Sequence, residues 1–144
     1  YNNINLNIIT LILLMTSLAK VFGEHLADFY DELIKLYPTN NELRAGKTMV
    51  DTFKKYNPRK LIECWRNLVA RPYGDEVMKG NLNFFMTHDF EKELNYGKWD
   101  RKTNEDWMQE IKVLVQTMNE ENLKKSIKYF QNLTKICNLY FDRK

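Results

Sequence analysis

Residues 37–62, YPTNNELRAGKTMVDTFKKYNPRKLI, hold one helix stop and two helix starts. Tyr37-Pro38 closes a helix, because proline drives the residue before it out of the α region. Thr39-Asn40-Asn41-Glu42 reads as a capping box opening a helix that runs to about Tyr56. Asn57-Pro58 reads as an N-cap followed by proline at the first helical position. Between these signals Leu43, Met49, Val50 and Phe53 form one apolar face at helical spacing. Gly46 interrupts that helix. It either weakens it by about 1 kcal/mol relative to alanine or marks a close helix approach.

The same pattern extends in both directions. On the N-terminal side, Ser17 can cap a helix reaching Tyr37. Its apolar stripe is Leu18, Val21, Phe22, Leu26, Phe29, Tyr30, Leu33, Ile34 and Leu36. On the C-terminal side, Pro58 opens a third helix with Leu61, Ile62, Trp65, Leu68 and Val69 inward. Arg71-Pro72-Tyr73 is expected to break or kink it. A short helix then runs from about Pro72 to Lys79 and ends at Gly80. Thr103-Asn104-Glu105-Asp106 and Asn119-Glu120-Glu121 start two more helices, expected at 104–118 and 119–141 and joined as an antiparallel hairpin. Residues 81–102 lack a clear period, with short helical turns expected near 83–87 and 90–94 and a turn at Asn95-Tyr96-Gly97-Lys98. Together these signals predict an all-α, single-domain, compact bundle of five or six helices with an irregular aromatic-rich segment at about 81–102.

Composition agrees with that class. The chain has 144 residues, 44% of them hydrophobic and 28% charged, with five Gly and three Pro. These are the proportions of a globular domain, not of a disordered one. The net charge of +3 is uneven. Residues 41–80 carry nine Lys/Arg against five Asp/Glu, whereas residues 81–120 carry five against eight. Such a mosaic gives little support to a broad nucleic-acid footprint.

The first fourteen residues, YNNINLNIITLILL, hold no charged side chain. Three readings are open. Met15 is the true start and residues 1–14 are upstream read-through of AT-rich sequence, leaving 15–144 as the single helical domain. Residues 1–19 are a signal or anchor, although a basic n-region is missing and the apolar run is about half a membrane span. Or the stretch is a genuine part of the first helix.

No residue pattern points to catalysis, so the chain is expected not to be an enzyme. His25 and His88 lack partners at zinc spacing, no phosphate-binding glycine motif occurs, and neither metal nor cofactor is expected. Cys64 and Cys137 each sit among apolar neighbours and read as buried reduced thiols, with a disulfide between them open. Asn132-Leu133-Thr134 matches a glycosylation sequon, but Leu133 belongs to the expected core face. Two candidate binding surfaces stand out. One is a basic corner of Lys54, Lys55, Arg59, Lys60, Arg66 and Arg71, interleaved with Tyr56 and Tyr73. Such a corner can grip phosphates or an acidic partner, or be only a solvated charged face. The other is the aromatic cluster Phe84, Phe85 and Phe90, which either covers the core or presents a sticky patch.

The chain resembles a group of small helical proteins from nucleocytoplasmic large DNA viruses. The resemblance rests on Phe29 through Tyr37-Pro38, Asn57-Pro58-Arg59-Lys60 and the aromatic helix ending near Pro72-Tyr73. Phe84-Phe85 before the acidic stretch from Asp89, and the helix start Met118-Asn119-Glu120-Glu121-Asn122, complete it. It covers about Leu18 to Tyr140 and brings no catalytic residues. It implies a viral protein-interaction, virion or assembly factor located inside the host cell or in the virion. The expected function is therefore binding of a protein partner, with nucleic-acid binding through residues 54–71 as the alternative. A membrane partner or secretion is expected only if residues 1–19 are native.

Overall fold

The computed structural model describes residues 2–90 and 106–142, and side chains for 7–90 and 108–142. Every described element is a helix. The order is α1 (Asn2–Leu36), α2 (Asn41–Tyr56), α3 (Pro58–Trp65), a π turn (Arg66–Ala70), α4 (Arg71–Lys79), α5 (Leu82–Thr87), α6 (Asp106–Gln116) and α7 (Glu120–Phe141). With α3, the π turn and α4 counted as one rod, this is the six-helix, single-domain, all-α bundle that the capping pattern predicts. The turns expected near 90–94 and 95–98, and the start signal at Thr103-Asn104-Glu105, lie outside the described residues.

Local chemistry accounts for most of the boundaries. Asn119 caps α7 by accepting from the Asn122 N–H at 2.8 Å. Gly80 ends α4 in the left-handed conformation, φ 65°, where a side chain would be strained. Asn81 caps α5 through the Phe84 N–H at 3.1 Å. At α2 the cap is Asn40 rather than Thr39, accepting from the Leu43 N–H at 3.1 Å. Asn57 precedes Pro58 as expected, but its side chain makes no cap bond.

Two expectations are corrected. Ser17 does not start α1. The helix runs without interruption from Asn2, because Ile, Leu and Asn offer no breaker and the Thr16 hydroxyl bonds back to the Ile12 carbonyl inside the helix. Nor does Pro72 break the third helix. The backbone widens to i→i+5 bonding at Arg66–Ala70, with the Arg71 N–H on the Arg66 carbonyl. This widening shifts the register just ahead of the missing proline N–H.

α1 is the central rod, packed on α2, α3 and α7. It runs antiparallel to α2: Lys47 pairs with Asp31 at 2.7 Å, Gly46 lies on Tyr30, and Lys54 lies on Gly23. It is antiparallel to α7 too, with Phe29 stacked on Tyr129 at 4.7 Å. Trp65 stands at the centre of the core. It meets Phe22 at 6.2 Å and Phe130 at 5.0 Å, edge to face, and donates its indole N–H to the Thr134 hydroxyl at 3.0 Å. Phe130 in turn meets Phe29 and Phe85, so one aromatic hub joins α1, α3, α5 and α7. Burying each of these rings contributes about 1.5–3 kcal/mol. Val21 and Leu36, expected inward, are exposed. α1 buries a narrower stripe than its apolar sequence allows.

Candidate functional site

The two candidate surfaces fare differently. Phe85 and Phe90 are each 1% exposed and Phe84 is half-buried. These rings pack on Tyr73, His88 and Phe130, so the cluster is core in this structure and not an exposed surface. Gln116 ties the segment down by donating to the Phe85 and His88 carbonyls. Behind it lies a residue that periodicity places inside but polarity places outside. Lys112 is only 4% exposed, with its ammonium 5.0 Å from the Tyr73 ring centre and 3.1 Å from the Leu68 carbonyl.

The basic corner is divided. Lys54, Lys55, Arg59 and Lys60 do gather where α2 turns into α3. Lys54 lays its stem over Gly23 of α1, so that a Cβ there would sit 2.9 Å from the lysine Cγ. Lys55 lies 5.3 Å from the ring centre of Tyr56, which is 74% exposed. Arg59 pairs with Glu63 one turn on, at 3.0 Å. Arg66 leaves the group to cover the Phe141 ring at 4.3 Å. Arg71 lies beyond the π turn, about 18 Å along the rod from Arg59 at the helical rise. Six cations close in sequence thus become a corner of four, one aromatic contact and one distant charge.

Next to that corner is a feature the sequence offered but did not place. The N-terminal part of α1 exposes Ile8, Ile9, Leu11, Ile12, Leu13 and Leu14, each between 44% and 63%. A groove of about 380 Å³ joins the two parts, with Ile12, Met15 and Ala19 on one wall and Tyr56, Pro58 and Arg59 on the other. Among the described residues α1 is the one helix long and apolar enough, by length and composition, to cross a membrane.

A second groove, of about 490 Å³, lies between the C-terminal half of α1 and α7. His25, Phe29, Glu32, Lys125 and Tyr129 line it. His25 packs against Tyr129 at 5.1 Å, and its Nε2 is buried without a hydrogen-bond partner. Burial holds the His25 pKa below the ordinary imidazole value, against a smaller upward pull from Asp28. Cys64 and Cys137 are buried and unbridged. Burial pushes the Cys137 thiol up to about 12. The sequon threonine, Thr134, is fully buried and held by Trp65. Among the described residues no three His, Cys, Asp or Glu side chains gather as a metal site.

The structure therefore defines an all-α, single-domain bundle with an apolar helix end set beside a small basic corner. In comparisons with known proteins no family model matched the chain, and no characterised protein or solved structure was significantly similar to it.

Proposed function

We propose that this protein works by binding another macromolecule, without catalysis, through the end of the bundle where the α2–α3 corner meets α1. One observation supports the reading. Exposed apolar surface on α1 faces the exposed Tyr56 and the cation Arg59 across one groove, with Lys55 beside the Tyr56 ring. This end leaves large apolar side chains in water, which a partner would cover. A viral interaction or assembly factor is the setting suggested by the sequence resemblance.

The test is capture of bound species by the wild-type chain and by two variants, Arg59→Glu with Lys60→Glu, and Tyr56→Ala. All three should have the same circular dichroism, and both variants should lose the same species. Identical captures from all three would remove this face. Phe90→Ala does not test a surface, because Phe90 is core.

Nucleic-acid binding is the second reading, supported by Lys55 beside the exposed Tyr56 ring. It requires an affinity that falls steeply with salt, since phosphate contacts release counterions.

A further inference from the structure

We infer that the partner at this end is an anionic lipid membrane: the apolar stretch Ile8–Leu14 of α1 enters the hydrocarbon and the cations of the α2–α3 corner meet the headgroups. This names the partner for the binding reading above and rests on it.

The distribution of apolar residues is the first argument. At 100° per residue, Ile8, Ile9, Leu11, Ile12, Leu13 and Leu14 point to every side of the helix. A helix that docks in a protein groove needs one apolar stripe and keeps its other faces polar. A bilayer surrounds a helix on all sides, and an all-round apolar surface suits it. Thr10 is the polar residue within this stretch, and just past Leu14 the Thr16 hydroxyl is bonded to the Ile12 carbonyl at 2.9 Å.

The position of the first charges is the second argument. No charged side chain precedes Lys20. The groove puts Tyr56 and Arg59 level with Ile12 to Ala19 of α1. The apolar run Ile8–Leu14 rises about 10 Å and reaches that level, with Asn2, Asn3, Asn5 and Asn7 ahead of it. Arg59 lies at the level of Ile12 to Ala19 with Lys60 next in sequence, Lys55 sits beside Tyr56 there, and Lys20 and Lys54, the latter on Gly23, follow further along α1. Opposing them are Glu24, Asp51, Asp142 and Glu63; Asp51 lies 3.8 Å from Lys47 and Glu63 is paired with Arg59 at 3.0 Å. The excess is positive and matches the negative potential of anionic headgroups. Tyr56, exposed at the same level, is a residue type enriched at that boundary.

The experiment is flotation of the full chain with phosphatidylcholine vesicles, with and without phosphatidylserine. Expected are co-flotation with the phosphatidylserine vesicles, weaker binding to phosphatidylcholine alone, and release by salt. Lys54→Glu with Lys55→Glu and Lys60→Glu should lower partition more than about tenfold. Ile9→Asp with Leu13→Asp should abolish it while the circular dichroism stays helical. Should the triple variant unfold, Lys55→Glu alone, at an exposed site, should still lower partition about fivefold. No flotation with anionic vesicles overturns the membrane partner, and so does flotation indifferent to both sets of substitutions. Two other results overturn it while leaving the broader binding reading intact. One is a dimer, seen by light scattering, that Ile9→Asp with Leu13→Asp dissociates and that does not float. The other is a low-salt gel shift without flotation. Failure of both flotation and the Arg59/Lys60-sensitive capture removes both readings.

Discussion

The ammonium of Lys112 donates to the carbonyl of Leu68 at 3.1 Å, across the interface between α6 and the π turn. In an α-helix the Leu68 carbonyl would accept from residue 72, and residue 72 is a proline with no N–H to give. A lysine from another helix thus donates to the carbonyl whose α-helical partner would have been the proline. Its ammonium also lies 5.0 Å and 5.6 Å from the ring centres of Tyr73 and Phe90, an arrangement favourable to a cation.

The relationship predicts coupling. Lys112→Met keeps the apolar stem and removes the donor, and should cost about 1–3 kcal/mol. Pro72→Ala restores a backbone N–H one turn beyond Leu68. In that background Lys112→Met should cost less, by at least about 0.5 kcal/mol. Urea denaturation of the four proteins closes the cycle. Additive costs would show that the two residues do not share the carbonyl.

Gly46 is required by Tyr30. A Cβ at position 46 would lie 2.6 Å from Tyr30 Cε1 and 3.0 Å from the phenol oxygen. Helix propensity favours alanine by about 1 kcal/mol, yet overpacking a buried ring costs about 1–3 kcal/mol. Gly46→Ala should therefore be net destabilising. In a Tyr30→Leu background the same change should become neutral or stabilising. A Gly46→Ala protein that melts above the wild type would show that the phenol ring yields without strain.

His25 should give stability a dependence on pH. Its folded pKa is lowered, chiefly by burial. The unfolded chain then takes up a proton near pH ~6.5, while the folded chain does so only at lower pH. Stability from this group is complete above that value and declines as pH falls from there to the folded pKa, because the unfolded state binds more protons in that window. Thermal melts of the wild type between about pH 7.5 and 5.5 should show the decline. His25→Asn should flatten it, and parallel curves for the two proteins would assign the decline to other groups.

The thiols should be silent in the native state. Cys64 and Cys137 are both buried, and the Cys137 thiol is pushed up to about 12. At pH ~8 almost none of it is thiolate, the form that reacts. Iodoacetamide followed by intact mass should add nothing to the folded protein and two labels in urea. Labelling of the native protein at a rate independent of urea would show that the α3–α7 contact opens freely.

The signals that could be read from sequence were those with local causes. Asn119, Gly80 and the proline after Tyr37 act on the backbone within four residues. Asn40 took the cap from Thr39 because both side chains are competent and only the bond to the Leu43 N–H decides between them. Of the candidate site, the cations were legible as residues but not as a group. Arg66 is drawn to Phe141 and Arg71 is carried past the π turn, while Lys54, Lys55, Arg59 and Lys60 stay together. The exposed apolar end of α1 was visible as composition. Its position beside Tyr56 and Arg59 was not, because it depends on where α2 ends along α1.

The sequence by itself determined the helical class, most of the helix ends and much of the buried stripe on each helix. All of these follow from hydrogen bonds and side-chain spacing within a turn or two. Only the tertiary structure decided that Pro72 continues a rod, that Lys112 lies inside it, that Phe85 and Phe90 are core, and that an apolar helix end stands next to a basic corner. Those outcomes depend on which helices become neighbours, and neighbours far apart in sequence are selected by packing and by the need to satisfy buried polar groups.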